Sequence, residues 1–154
     1  MMEQYSMFGG TKPFKIDKPI RLIELFGGIS CQAQALMNLG VDFEEYRYCD
    51  IDKYACQSHN EIMGRSDTPS DITKWKGANL SICDTDKYCY IMFYSFPCVD
   101  LSTAGKCVGM GKGSGTRSGL LWEVERLLNE IVTGGAPSSV FDNGKCSTSS
   151  RQKE

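Results

Sequence analysis

The chain has 154 residues, 41% hydrophobic and 23% charged, with a formal net charge of −2. That is long enough for one domain with its own core. The absence of a basic block argues against tight, sequence-independent nucleic-acid binding, which needs clustered Lys and Arg, but leaves room for a local DNA-binding surface.

Residues 1–20 are polar, contain Gly9-Gly10 and two prolines, and are expected to form a leader or loop. They lack the apolar stretch of a secretion signal, and no run in the chain approaches the roughly 20 apolar residues of a membrane span. Arg21–Phe26 reads as a first strand, and Gly27-Gly28 forces a tight turn. A helix follows over Ile29–Leu39, with Ile29, Ala33, Leu36 and Leu39 on one face and Gly40 as C-terminal cap. Tyr46–Cys49 is the second strand and ends at Asp50-Ile51-Asp52. A helix over Lys53–Met63 is closed by Gly64, and Asp71-Ile72-Thr73 marks a short third element.

Residues 77–87 carry no clear periodicity. Cys89–Tyr94 is a strand that must leave the sheet at Phe96-Pro97, since proline cannot continue a central ladder. Gly105–Ser118, with five glycines in fourteen residues, reads as a mobile loop. Gly119–Ile131 is a helix with Leu120, Leu121, Val124, Leu127, Leu128 and Ile131 as its apolar stripe. After Thr133 no periodicity remains. This order predicts half of a doubly wound α/β fold whose sheet stops before it is complete.

Several residues point to chemistry. The turn Phe26-Gly27-Gly28-Ile29-Ser30 brings backbone close to a ligand and aims a helix N-terminus at it. It lacks the G-x-G-x-x-G spacing of the dinucleotide fingerprint, and a plain structural turn is an equal alternative. Asp50 stands at the end of strand two, where a carboxylate grips ribose hydroxyls; Asp52 is the alternate, or a helix cap. Ile51 can pack on a purine face, and Asp71 can accept from an exocyclic amine.

Of the eight cysteines, none forms a C-x-x-C pair, so no metal site is expected and free thiols in a reducing cytoplasm are the default. Cys31, Cys49, Cys56, Cys83 and Cys89 read as small buried hydrophobes. Cys98 differs: it follows a strand-end proline and precedes a Gly-rich loop, the setting of an exposed nucleophile. His59, the one histidine, lies among polar residues and supports no Cys–His pair.

Taken in order, these segments resemble the DNA (cytosine-5) methyltransferases from about Arg21 to Glu130. Leu25–Ser30 resembles the cofactor-loop motif, with Ser30 where glycine is usual. Cys49–Ala55 resembles the acidic motif, with Ile51 where an aromatic residue is common. Ser70–Thr73 resembles the adenine-reading motif, and Ser95–Lys106 the Pro-Cys catalytic motif, with Val99 departing from a polar residue. Gly115–Val124 resembles the stretch after the catalytic loop.

The resemblance implies a partial Rossmann-like methyltransferase fold and S-adenosylmethionine as cofactor. It implies donor contacts from Phe26, Gly27, Gly28 and Ile29 in the turn and from Asp50 and Ile51 after strand two. Asp71, Ile72, Pro97 and Leu120 complete that set. Cys98 is implied as the nucleophile on carbon 6 of a flipped cytosine, with Arg117 near the base or DNA.

The family's Glu-Asn-Val motif and target-recognition domain are not in this sequence, so the expected activity is doubtful for the chain alone, with double-stranded DNA as a weakly held partner. The organisation expected is a leader over 1–20, a cofactor and catalytic-loop portion over 21–133, and an irregular tail over 134–154. Read one base later, codons compatible with Pro137–Lys153 permit a strand ending in Met-Glu-Asn-Val, which suggests a frameshift between Thr133 and Pro137. The alternatives are an ordinary tail, a non-catalytic cofactor-binding remnant, or one half of a split methyltransferase completed by a separately encoded C-terminal half.

Overall fold

The computed structural model describes residues 15–98, 100–101, 109 and 111–132, with the backbone of 141–142 and 145–146. β1 (Ile20–Leu25) is the centre of a three-stranded sheet of order β2-β1-β3, flanked by β2 (Phe43–Cys49) and β3 (Cys89–Tyr94). Both pairings are parallel. Parallel neighbours need crossovers, and α1 (Cys31–Asn38) supplies the one between β1 and β2. This is a partial Rossmann-like sheet with helices, as the periodicity predicts.

β1 is buried along most of its length because both of its faces are covered. Ile23 and Leu25 join Tyr46, Cys49, Ile72, Leu80, Val124 and Leu127 in one apolar cluster. Val124 and Leu127 come from α4 (Leu121–Val132), and Leu80 from the short α3 (Gly77–Leu80). Each such aliphatic side chain contributes about 1.5–3 kcal/mol when fully buried. With a side-chain period of two, Leu22 and Glu24 point to the opposite face.

α2 (Lys53–Met63) matches its predicted span. Asp52 caps it by accepting from Tyr54 N and Ala55 N, and Gly64 ends it at φ 63°. The short third element is a 3-10 turn, Ile72–Lys74. Asp71 Oδ1 accepts from Thr73 N and Thr73 Oγ1, a local bond set that bends the chain away from an extended ladder. The last predicted helix begins as a 3-10 turn, Ser118–Leu120, before α4.

Two apolar stripes are narrower than periodicity suggests. In α1 the buried residue is Ala33, while Ile29 before it and Leu39 after it are exposed. In α4 Leu128 is exposed, because the contact with the sheet is centred on Val124 and Leu127. Among the five cysteines expected to be buried, Cys31 is exposed and Cys89 half-buried. Cys31 opens α1 on its outer side, and Cys89 opens β3 at the sheet's edge.

β4 (Phe141–Asp142) and β5 (Lys145–Cys146) pair antiparallel, a short ladder where no periodicity was legible. The rest of the tail, on which the frameshift expectation rests, lies outside the described residues, as do residues 1–14. Among the described residues no helix is long and apolar enough to cross a membrane.

Candidate functional site

Leu25 stands opposite Cys49 on one side and Tyr94 on the other, so the three parallel strands end together. The residues that follow them, Phe26–Ser30, Asp50–Asp52 and Ser95–Cys98, share the carboxyl edge of the sheet. That edge is where open α/β sheets hold ligands.

The turn after β1 alternates into the left-handed region at Phe26 (φ 55°), Gly28 (φ 57°) and Ser30 (φ 59°). Ser30 N donates to Gly27 O at 2.9 Å and closes it. Gly27 is required for space: a Cβ there would lie 2.6 Å from Cε2 of Tyr48. The Tyr48 hydroxyl donates to Gly28 O at 2.7 Å, and Gly28 N donates to Asp50 Oδ2 at 2.8 Å. Ile29 is exposed beside them.

The geometry separates the two acids that the sequence left as alternates. Asp52 is the helix cap, and its bonds to the amides of Ala55 and Tyr54 hold its carboxyl below the ordinary range. Asp50 faces the turn, with Oδ1 accepting from Asp52 N at 2.8 Å and Oδ2 from Gly28. Its carbonyl accepts from Ser70 N at 2.7 Å, which brings the Asp71 segment alongside.

Ile51 is 70% exposed. It borders an open groove of about 410 Å³ whose other walls are Pro69, Ser70, Asp71, Lys74 and Trp75. The bonds from the Thr73 hydroxyl and amide hold Asp71 below the ordinary carboxylate range. Ile72 is 4% exposed and its side chain belongs to the core, so its reach toward this groove is through its backbone.

The loop after β3 is tied down at several points. Ser95 N donates to Leu25 O at 3.3 Å, and Gln32 Nε2 donates to Ser95 Oγ at 3.3 Å. Pro97 is half-buried and Cys98 is exposed. Leu101 N returns to Cys98 O at 3.0 Å. Asp100 N donates to Ser118 Oγ at 3.2 Å, and Ser118 N donates to Asp100 Oδ2 at 3.0 Å. That exchange brings the Cys98 loop to the start of the helical segment, where Arg117 is exposed and Leu120 packs against the core. Val99 and residues 102–108, including Lys106, lie outside the described residues.

A larger cavity of about 740 Å³ lies between residues 112–116 and α4. Leu120 and Thr73 line it, but neither Asp50 nor Cys98 does. The groove beside Ile51 and Asp71 at the strand ends is therefore separate from this cavity.

One feature escaped the sequence reading. On the face of the sheet opposite the apolar cluster, Glu24 is 1% exposed, and Ser30 and His59 are each 0% exposed. Ser30 Oγ lies 2.7 Å from His59 Nδ1, and His59 Nε2 lies 3.4 Å from Asp67 Oδ2. Arg65 Nε pairs with the same Asp67 oxygen at 3.1 Å and with Glu45 Oε2 at 3.7 Å. Burial pushes Glu24 above the ordinary carboxylate range, against the partial offset of the nearby Ser30 hydroxyl and Ala33 amide. Burial also raises Glu45, outweighing His59 and Arg65. For Asp67 the balance reverses: burial raises it, but Arg65 and His59 hold it below its ordinary value. The available signal was helical phase, since His59 is three residues beyond the buried Cys56 on the same face of α2.

Comparison with known proteins identifies the family to which these segments belong. The family model described as C-5 cytosine-specific DNA methylase matches residues 20–134. An orphan methyltransferase of Spiroplasma monobiae is 55% identical over 47 residues, covering 30% of this chain and 12% of the relative. An orphan methyltransferase of Bacillus phage SPbeta is 38% identical over 93 residues, covering 59% of this chain and 20% of the relative. A type II methyltransferase of Lactococcus lactis subsp. cremoris is 54% identical over 35 residues, 23% of this chain and 10% of the relative. The chain spans a fifth or less of the length of these relatives. The match runs through all three parallel strands, the strand-end loops and α4, and the chain belongs to the C-5 cytosine-specific DNA methylase family.

Proposed function

We propose that residues 21–133 form the S-adenosylmethionine-binding and catalytic-loop portion of a DNA (cytosine-5) methyltransferase. The observation that carries this reading is the strand-end juxtaposition of the Gly28–Asp50 hydrogen bond with an exposed Cys98. The donor set fits an adenosyl group. Asp50 and Asp71 offer carboxylate oxygens for hydroxyls and an amine, and Ile51 offers an exposed apolar face beside a groove. Phe26, Gly27, Gly28 and Ile29 supply close backbone, Pro97 directly precedes Cys98, and Leu120 stands on the segment that Ser118 ties to the Cys98 loop.

S-adenosylmethionine, when bound, supplies an electrophilic methyl group. Cys98 acts on the other substrate, a cytosine extruded from double-stranded DNA. Its thiolate adds to carbon 6, which makes carbon 5 nucleophilic enough to take the methyl group. Loss of the proton from carbon 5 then expels Cys98. A free thiol has a pKa near ~8.5, so the site must form the thiolate as attack occurs or stabilise it beforehand. Arg117, on the segment tied to the Cys98 loop, is suited to the base or a phosphate.

The acid that assists ring attack, worth about 10²–10⁴ in rate, is not in this sequence. Bacterial and phage relatives, together with free thiols, suit the cytoplasm of a bacterial or phage-infected cell.

Calorimetry with S-adenosylmethionine tests the donor site: binding is expected, and Asp50→Ala is expected to abolish it. Transfer of label from tritiated S-adenosylmethionine to DNA tests the nucleophile. Transfer that survives Cys98→Ser would remove Cys98 from its role.

A further inference from the structure

We propose that His59 is a positioning residue for the donor turn, acting from beneath through Ser30. The proposal rests on the donor-site reading above. Four observations carry it. Ser30 is a non-glycine residue in the left-handed region, at φ 59° and ψ 49°, a conformation that L-residues with a Cβ disfavour. Its side chain is buried, and its hydroxyl lies 2.7 Å from His59 Nδ1. The His59 ring is stacked on Tyr48, with centroids 3.7 Å apart and planes 8° apart. Tyr48 in turn donates to Gly28 O and fills the space against Gly27.

Two stacked rings thus hold the turn at three of its residues: Gly27 and Gly28 through Tyr48, and Ser30 through His59. The ring pair is itself anchored. His59 Nε2 faces Asp67 Oδ2, and Asp67 is fixed by Arg65 and by Asn60, whose amide donates to Asp67 O at 2.8 Å. The turn's fixed geometry aims Gly28 N at Asp50. Glycine would hold the left-handed position unaided; serine needs its hydroxyl satisfied in the buried site, and His59 provides that.

The test is a double-mutant cycle on the full chain with two readouts. In His59→Phe the ring remains but the Nδ1 partner is gone. S-adenosylmethionine binding by calorimetry is expected to weaken about tenfold, and hydrogen exchange at Gly28 and Ser30 to rise about tenfold, with the central amides of α2 unchanged. In a Ser30→Gly background the same His59→Phe change is expected to cost no more than about twofold in either readout, because glycine needs no partner there.

A His59→Phe protein that is folded but keeps wild-type affinity and exchange overturns the proposal. So does a cycle in which Ser30→Gly gives no relief. A lower melting temperature with unchanged affinity and exchange in the folded protein also overturns it, since that is what a merely structural histidine would give. If the wild-type chain binds no donor, the functional reading fails, while the exchange cycle still decides whether His59 positions the turn.

Discussion

Asp100 and Ser118 exchange two hydrogen bonds, each donating its backbone amide to the other's side chain. The pair joins the loop of the exposed Cys98 to the segment that carries Arg117, 18 residues further on. Ser118 is fully buried, so no solvent reaches the place of its hydroxyl to accept from the Asp100 amide once the hydroxyl is removed.

Ser118→Ala is therefore expected to cost about 1 kcal/mol and to raise hydrogen exchange over residues 98–101 roughly fivefold. Exchange mass spectrometry on that peptide checks it. Unchanged exchange would mean that the Cys98 loop is held by its other ties, through Ser95 to Leu25 and Gln32.

Gly27→Ala is expected to destabilise the chain by about 1–3 kcal/mol, because the new methyl group collides with the ring of Tyr48. Urea unfolding measures the loss. Donor affinity should fall with it, since Tyr48 cannot move aside and still bond Gly28 O. Gly28→Ala should differ in cause: nothing lies within 4 Å of its missing Cβ, but its φ is 57°.

Glu24 makes stability depend on pH in a defined direction. Its folded value is raised by burial, so the native state holds its proton more tightly than the unfolded chain does. Between the two values the native state carries more protons, and stability falls as pH rises through the ordinary glutamate range toward the folded value. Glu45, raised for the same reason, adds to the effect, while Asp67, lowered, opposes it at acid pH. Neither Glu24 oxygen has a hydrogen bond of ordinary geometry among the described residues, and the nearby Ser30 hydroxyl and Ala33 amide offset only part of the cost of burial. Glu24→Gln should thus raise stability at pH 8 by about 1–3 kcal/mol and by far less at pH 4. Melts at the two pH values check the sign; a loss at pH 8 would show that the Glu24 carboxylate is stabilising.

Arg126 fastens the Asp71 turn to α4. Its Nη2 donates to Trp75 O at 2.9 Å and to Ile72 O at 3.3 Å, while Nε and Nη1 pair with Glu123 and Glu130. The carboxylate pairs are partly exposed and are worth little once solvent screening is counted. The two carbonyl bonds dominate, so Arg126→Gln is expected to cost about 1–3 kcal/mol and Glu123→Ala under about 0.5 kcal/mol. Chemical denaturation of both variants checks the order, and equal costs would overturn the assignment.

The local parts of this fold were legible because their causes are local. Asp52 and Gly64 mark the ends of α2 through interactions within a few residues, and the apolar run 89–94 needs only Phe96-Pro97 after it to read as a strand that stops. The order of the motifs likewise pointed to the family that the comparison identifies. Leu128 and Cys31 were misread for a complementary reason: periodicity names the face of a helix, but the width of the contact depends on what packs against it.

From sequence alone followed the three parallel strands, the helices α1, α2 and α4, the turn after β1, the candidate roles of Asp50 and Cys98, and the resemblance that named the chemistry. Only the tertiary structure decided that β1 is central, that Asp50 rather than Asp52 faces the turn, and that Glu24, Ser30 and His59 are buried together. Ser30 and His59 are 29 residues apart, and Asp100 and Ser118 are 18 apart. Whether a polar side chain is solvated or buried is set by partners that meet only after the strands pair and the helices cross over, and no local pattern carries that information.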